Sequence, residues 1–194
     1  MNKTLGIIIA LVVVIGIWAI SSYNSLISQQ EQVSQAWGQV QTTYQRRLDL
    51  IPNLVATVQG YAAHEKSTLV DVTNARARAT QSLQNATPEN QAQLNQLTQS
   101  QAALSGALGR LMVVVERYPD LKASENFLAL QSQLEGTENR IAVARERYND
   151  AVQTYNVTLR HFPANLIANM TGFHEKAYFA ADAQAAQAPK VSFS

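Results

Sequence analysis

Two His-Glu dipeptides, His64–Glu65 and His174–Glu175, are the first places to look for chemistry in this chain. A zinc-hydrolase helix carries His-Glu-x-x-His, because residues four apart share a helix face. Two imidazoles then reach one metal, and the glutamate serves as base. Thr68 and Tyr178 stand where the second histidines would be, so neither dipeptide makes a metal site. His161 is isolated and reads as a partly exposed residue at a helix end. The absence of cysteine removes disulfides and thiolate ligands. No nucleophile elbow, phosphate-binding loop or spaced pair of carboxylates occurs. The expectation is a protein that is not an enzyme, with no catalytic residue, no cofactor and no metal.

The charged positions able to bind something are mostly arginines. Arg46 and Arg47 stand together just before Asp49, and Arg76 and Arg78 fall in "NARARA". Lipid phosphates are a poor match for Arg46 and Arg47. At about 1.5 Å of helix rise per residue, the pair lies about 35 Å beyond the apolar N-terminal run, well past the Debye length. An acidic partner protein, or solvation with an ion pair to Asp49, remains open. Arg46, Arg47, Arg76 and Arg78 together are the candidate partner-contact edge. Glu65 falls on an apolar stripe between Ala62 and Leu69, and counting along the folded chain brings it level with Arg110. A Glu65–Arg110 pair that fixes helix register is expected, with a simply solvated Glu65 as the alternative. Arg140, Arg145 and Arg147, with Glu138 and Glu146, read as a charged outer face.

The elements that hold these residues are helical. The chain has 194 residues, 46% of them apolar and 15% charged, with a net charge of +1. That is enough for one ordinary core and gives no electrostatic reason to seek nucleic acid. Five prolines and eight glycines favour long helices over turn-rich β structure. Residues 5–20, LGIIIALVVVIGIWAI, carry no charge and no strongly polar side chain. With Thr4, Ser21, Ser22 and Tyr23 they reach the length of a membrane-crossing helix, and Trp18 and Tyr23 sit where aromatic rings favour the interface. A signal peptide cleaved after Ser21 is the competing reading. The run exceeds a usual h-region and the helical pattern resumes directly after it, so an uncleaved anchor is expected, with the lipid bilayer as partner through residues 5–20. Lys3 precedes the run and no Lys or Arg follows it until Arg46. That asymmetry points to a soluble part outside the cytoplasm, a cytoplasmic bundle being the alternative.

Beyond the anchor, apolar residues recur three and four apart: Val33, Trp37, Val40, Tyr44, Leu48, Ile51, Val55, Val58, Ala62, Leu69 and Val72. This is the repeat of a helix burying one face, fading near Leu83. A second stripe runs Leu94, Leu97, Gln101, Leu104, Leu108, Leu111, Val115 and Tyr118, after a start at Thr87 and Pro88. A third, capped by Ser124, runs from Phe127 through Leu134, Thr137, Ile141, Tyr148 and Tyr155 to Phe162. Short connections make neighbouring helices antiparallel. The fold class is therefore all-α: a transmembrane helix continuing into a long helix that packs in an antiparallel three-helix bundle, with residues 166–173 supplying a short fourth helix. The expected divisions are an anchor at 1–22, a membrane-proximal stalk at 23–51, a bundle at 52–162, and a short helix with a weakly structured tail at 163–194. Counted this way, the stalk has no partner helix in its own chain.

Several long segments resemble the LemA family. They are RRLDLIPNLVATVQGYAAHE, LVDVTNARARA, YPDLKASENFLALQSQLEGTENRIAVARERYN and FPANLIA, together with an opening plan of short N-terminus, apolar anchor and YNSL. The likeness runs from about Leu5 to Phe179. It implies a bacterial membrane protein with one N-terminal anchor and a helical bundle, and so a place in the bacterial cytoplasmic membrane. It implies no catalytic residue, since none is agreed for the family, and supports a scaffold or adaptor role by analogy alone.

Two functions follow as expectations. In the first, the stalk stripe of Val33, Trp37, Val40 and Tyr44 would be left in water by a lone helix, and so marks a homo-oligomer interface. The chain is then a non-enzymatic, membrane-anchored scaffold that self-associates. In the second, the bundle is an adaptor offering its arginine edge to an envelope protease or another membrane protein. Pro52 lies inside the best-patterned helix, where it removes one backbone hydrogen bond at about 3 kcal/mol. Because the stripe keeps its phase through it, Pro52 is expected to kink the helix, as the joint between stalk and bundle, and to leave the Leu48 carbonyl in need of another donor.

Overall fold

A computed structural model describes residues 3–180; the weakly structured tail expected beyond Phe179 falls almost wholly outside them. Among the described residues six helices follow in order: α1 Lys3–Tyr61, α2 Lys66–Asn85, α3 Gln91–Val115, α4 Pro119–Lys122, α5 Glu125–Arg160 and α6 Ala164–Thr171. No strand occurs among the described residues, and the chain is an all-α bundle as its periodicity implies.

α1 is one helix with two surroundings. Every side chain from residue 7 to residue 17 is exposed, and the most apolar 18-residue window has a mean hydropathy of 2.6 with none of it buried. From Leu26 onward the same helix buries Leu26, Val33, Trp37, Val40, Tyr44, Leu48, Ile51, Leu54 and Val58. α1 lies along α5 over a long contact and along α2, while α2 pairs with α3 and α6 packs on α1 and α5. The one-turn α4 carries the chain from α3 to α5 beside the α1–α2 turn, where Arg117 and Tyr118 reach Glu65.

Helix lengths shape the bundle. α5 has 36 residues, against 20 in α2 and 25 in α3. The α2–α3 hairpin therefore covers only the part of α1 farther from the apolar run. Nearer that run, the cover comes from α5, α6 and residues 173–180, which climb back along α5 to the α2–α3 turn, where the Ala177 N–H donates to the Pro88 carbonyl at 2.7 Å.

The stalk expectation is corrected here. Val33, Trp37, Val40 and Tyr44 are all buried within the chain, because α5 is as long as the part of α1 beyond Leu26 and runs back beside all of it. The division at residue 51 likewise disappears, since one core runs through Leu48, Ile51 and Leu54 without interruption. The miscount came from a hidden break. α1 ends at Tyr61 and α2 starts at Lys66, through a turn closed by Ala62 N–H to Val58 O at 2.8 Å and Glu65 N–H to Ala62 O at 3.0 Å. Val58, Ala62, Leu69 and Val72 keep one phase across it, so two antiparallel helices read as one. The start of α3 also differs: its cap is Asn90, whose Oδ1 accepts from Gln93 N–H at 3.2 Å, with Thr87 and Pro88 in the preceding turn. Ser124 does occupy the cap position of α5, without a side-chain cap bond.

Pro52 sits inside α1, with α2 and α5 beside it, so it is no joint between stalk and bundle. The Leu48 carbonyl, left without its helical donor, accepts from Arg76 Nε of α2 at 2.8 Å. Arg76→Ala should therefore cost about 1–3 kcal/mol by leaving that carbonyl unpaired. In a Pro52→Ala background the restored N–H serves Leu48, and the same substitution should cost much less. Unfolding of the full chain in detergent, followed by far-ultraviolet circular dichroism, measures both; equal costs would show that the two residues are not coupled.

Candidate functional site: a buried arginine and a strapped groove

The most unusual polar group in the bundle is Arg47. α1 faces α2 on one side and α5 on the other, so its buried face is wider than a single stripe and takes in Thr43 and Arg47. Arg47 is only 3% exposed, and its Nη2 pairs with Glu138 Oε1 of α5 at 2.7 Å, Glu138 being 46% exposed. Nη1 donates to Gln101 Oε1 of α3 at 3.1 Å, and Nη2 also reaches Ser105 Oγ at 2.6 Å. One side chain thus joins α1, α3 and α5. Arg47 Nε and Gln101 Nε2 have no partner among the described residues, and beside them a cleft of about 360 Å³ opens between α3 and α5, walled by Leu108, Met112 and Leu134 with Glu135 and Glu138. Burial pulls the guanidinium pKa down from the usual arginine range, opposed chiefly by the charge of Glu138.

The second polar construction holds residues 173–180. Asn149 and Asn156 lie seven apart, two turns along one face of α5. Asn156 accepts from Lys176 N–H at 2.9 Å and donates to Lys176 O at 2.8 Å. Asn149 does the same for Phe179, at 3.0 and 3.1 Å. Tyr155 and Tyr148 donate to the carbonyls of His174 and Ala177 at 3.0 and 2.9 Å. All these bonds go to main-chain atoms, so the groove reads an extended backbone. One aromatic anchor supplements it: Phe179 is buried, stacked on Trp37 at 6.1 Å between centroids and edge-on to Tyr148 at 5.4 Å, with Arg145 over its ring at 5.0 Å. Trp37, read from sequence as an oligomer contact, is thus capped by the chain's own C-terminal segment.

The other sequence-derived candidates separate. Glu65 does not meet Arg110. Its Oε1 accepts from Arg117 Nη2 at 2.9 Å and Tyr118 OH at 3.2 Å, while Arg110 stands 4.0 Å from Asp71. The hidden turn shifted the count by two turns of helix. Of the four arginines of the proposed edge, Arg47 is buried and Arg76 serves Leu48, leaving Arg46 and Arg78 exposed. Glu175 is held by Arg160 at 2.7 and 3.0 Å, and His161 is exposed at the end of α5. Among the described residues no three His, Asp or Glu side chains converge on a common point. Sequence reasoning missed Asn149 and Asn156 altogether, and took Arg76 for a partner contact rather than the donor to Leu48. Gln101 did carry a signal, as the one amide on an otherwise apolar stripe.

Two measurements test this centre. Removing Glu138 strands a buried cation, whereas removing Arg47 leaves a carboxylate that water can reach. Glu138→Ala should cost about 3 kcal/mol and Arg47→Met less, with the double variant no worse than Arg47→Met alone; denaturant unfolding gives all three values. Burial also raises the hydroxyl pKa values of Tyr44, Tyr148 and Tyr155, the charge of Glu89 adding to the last two and nearby arginines opposing it at Tyr44. A raised pKa keeps the folded hydroxyl protonated after the unfolded chain ionises. Its support is full below about pH 10 and falls by about 1.4 kcal/mol per pH unit per tyrosine above it. Phenolate absorbance at 295 nm should rise in two stages, the later one coinciding with loss of helicity.

The family model described as LemA family matches residues 36–193. The chain is 30% identical to "Magnetosome protein MamQ 2" of Paramagnetospirillum magneticum over 176 residues, covering 81% of this chain and 64% of that protein. It is 27% identical to "Magnetosome protein MamQ" of Magnetospirillum gryphiswaldense with the same coverage. To "Protein LemA" of Metamycoplasma hominis it is 25% identical over 158 residues, covering 81% and 68%. The chain therefore spans a little under two thirds of the magnetosome proteins it matches. With most of the bundle inside the matched region, this chain belongs to the LemA family.

Proposed function

We propose that the protein is a non-enzymatic, membrane-anchored scaffold whose rigid bundle presents a binding surface to another protein of the bacterial envelope. The observation that carries this reading is the continuity of α1: an uncovered apolar half runs without a break into a half packed on all inner faces. Whatever the bundle binds is held at a fixed height above the apolar half. Two relatives are named as magnetosome proteins, which supports a role tied to a cell structure. The charge asymmetry about residues 5–20 supports a bundle on the outer side of the cytoplasmic membrane.

Burial of the former stalk shifts weight from self-association to the adaptor role, because the apolar surface that would have joined copies is used internally. The outer surface of α1 supplies the replacement. Residues 41–53 are recessed between the end of α2 and α5, forming an open groove of about 810 Å³ lined by Gln41, Thr42, Gln45, Arg46, Asp49 and Asn53. A groove of amides in which Arg46 and Asp49 offer one charge of each sign suits a polar partner surface.

Photo-crosslinking from position 45 of the full chain, in its own membrane and with or without Arg46→Glu, tests the reading. A single heterologous adduct, lost with Arg46→Glu while the protein stays in the membrane fraction, is expected. Adducts only between copies would restore the self-associating scaffold, and no adduct at all would remove this groove as a binding surface.

A further inference from the structure

The end of the bundle next to the apolar run has a face that nothing among the described residues covers. α6 buries Ala168 toward the core, and on its other side leaves Leu166 at 51% and Met170 at 84% exposure, with Phe162 just before it at 79%. Leu166 and Met170 are four apart on α6 and share one face; Phe162, in the turn before the helix, adds a third exposed apolar side chain to this stripe. The stripe stands at a defined height. Phe173, just past α6, meets Tyr23 of α1 edge-on at 5.8 Å, and Gly172 makes the turn between them with a left-handed φ of 77°. Tyr23 follows the last residue of the apolar run by three positions, about 4.5 Å of helix. Residues 5–23 would span about 28 Å, close to a hydrocarbon core about 30 Å thick. A helix packed beside Tyr23 is then at headgroup level.

The charge pattern agrees independently. No Asp, Glu, Lys or Arg occurs between Lys3 and Glu31, and none between Arg160 and Glu175. These two uncharged segments, distant in sequence, meet at the same end of the bundle. Bringing that end against lipid sets only the already paired Arg160 and Glu175 at its border, while three large apolar side chains leave water.

We propose that the outer face of α6 is a second membrane contact: Phe162, Leu166 and Met170 bed in the bilayer interface and fix the tilt of the bundle. The contact rests on the reading of residues 5–20 as an anchor. It binds zwitterionic and anionic lipid alike, because no cation takes part; a second copy of the chain is the competing occupant of the stripe.

The cysteine-free sequence allows single labels on the full chain. Val12→Cys, Leu166→Cys, Met170→Cys and Val113→Cys would each carry a polarity-sensitive fluorophore in nanodiscs of phosphatidylcholine, with or without phosphatidylglycerol. Val113 is 70% exposed on α3, which ends at the opposite pole. Labels at 166 and 170 should be quenched by lipids brominated near the headgroup and protected from iodide, equally in both lipids. The label at 113 should behave in the opposite way. A position-170 label as open to iodide as that at 113, while the label at 12 is quenched by lipid, overturns the contact and leaves the anchor standing. Protection at 170 without lipid quenching assigns the stripe to a protein and also overturns it. A label at 12 that lipid brominated deep in its acyl chains does not quench removes the anchor and the contact together.

Discussion

The Leu48 carbonyl has no helical donor, because the residue four positions on is a proline, and much of the bundle is organised around repairing that loss. Arg76 supplies the missing hydrogen bond from α2, which fixes how far α2 descends along α1 and how it is rotated. Since α2 and α3 form a hairpin, the height of α3 follows. The neighbouring residue then completes the arrangement: Arg47, pointing another way from the same turn, meets Gln101 and Ser105 of α3 and Glu138 of α5. Two consecutive residues of α1 thereby tie together all four long helices at one level. Apolar packing supplies most of the stability, but apolar ridges tolerate sliding, whereas a stranded carbonyl or cation does not.

A bundle pinned at that level still faces a difference in length. α2 and α3 are too short to accompany α1 and α5 along their whole course, and an α1–α5 pair alone leaves two faces open. α6 and residues 173–180 close part of that opening. The segment is fixed through its backbone, by Asn149 and Asn156, and through Phe179 in the angle between Trp37 and Tyr148. Backbone recognition suits its task, because a segment without helical hydrogen bonds must satisfy its amides and carbonyls elsewhere when it is packed against a core.

The fold class, the long N-terminal helix and the helices following Pro88 and Ser124 were legible in the sequence because each rests on the spacing of many apolar residues. The α1–α2 turn was not, because its signal is the absence of a stripe residue over less than two turns, and Val58, Ala62 and Leu69 bridge that gap in phase. One missed turn displaced every cross-helix pairing counted through it, which is why Glu65 was assigned Arg110 and met Arg117 and Tyr118. The burial of Arg47 was hidden for another reason: Arg47 lies beside the stripe, and only the number of helices around α1 decides whether that position is buried. Pro52 shows the opposite case. Its chemical consequence, a carbonyl seeking a donor, was legible from one residue, although the donor's identity depended on the fold.

Continuity of α1 has a mechanical consequence if residues 5–20 cross a bilayer. Neither glycine nor proline lies between Ile17 and Trp37, so no residue offers a ready hinge where the exposed half meets the packed half. A tilt of the anchor is then transmitted to the bundle. At about 1.5 Å per residue, the part of α1 beyond Leu26 is a lever of about 54 Å, and a tilt of about 20°, ordinary for a single span, moves its far end sideways by about 18 Å. A protein that holds a partner at a set position cannot leave that movement unopposed. Contact at a second point, away from the helix axis but at the height of Tyr23, is the least structure able to oppose it. α6 stands there because α5 is long enough to return the chain to the level at which α1 loses its apolar surroundings.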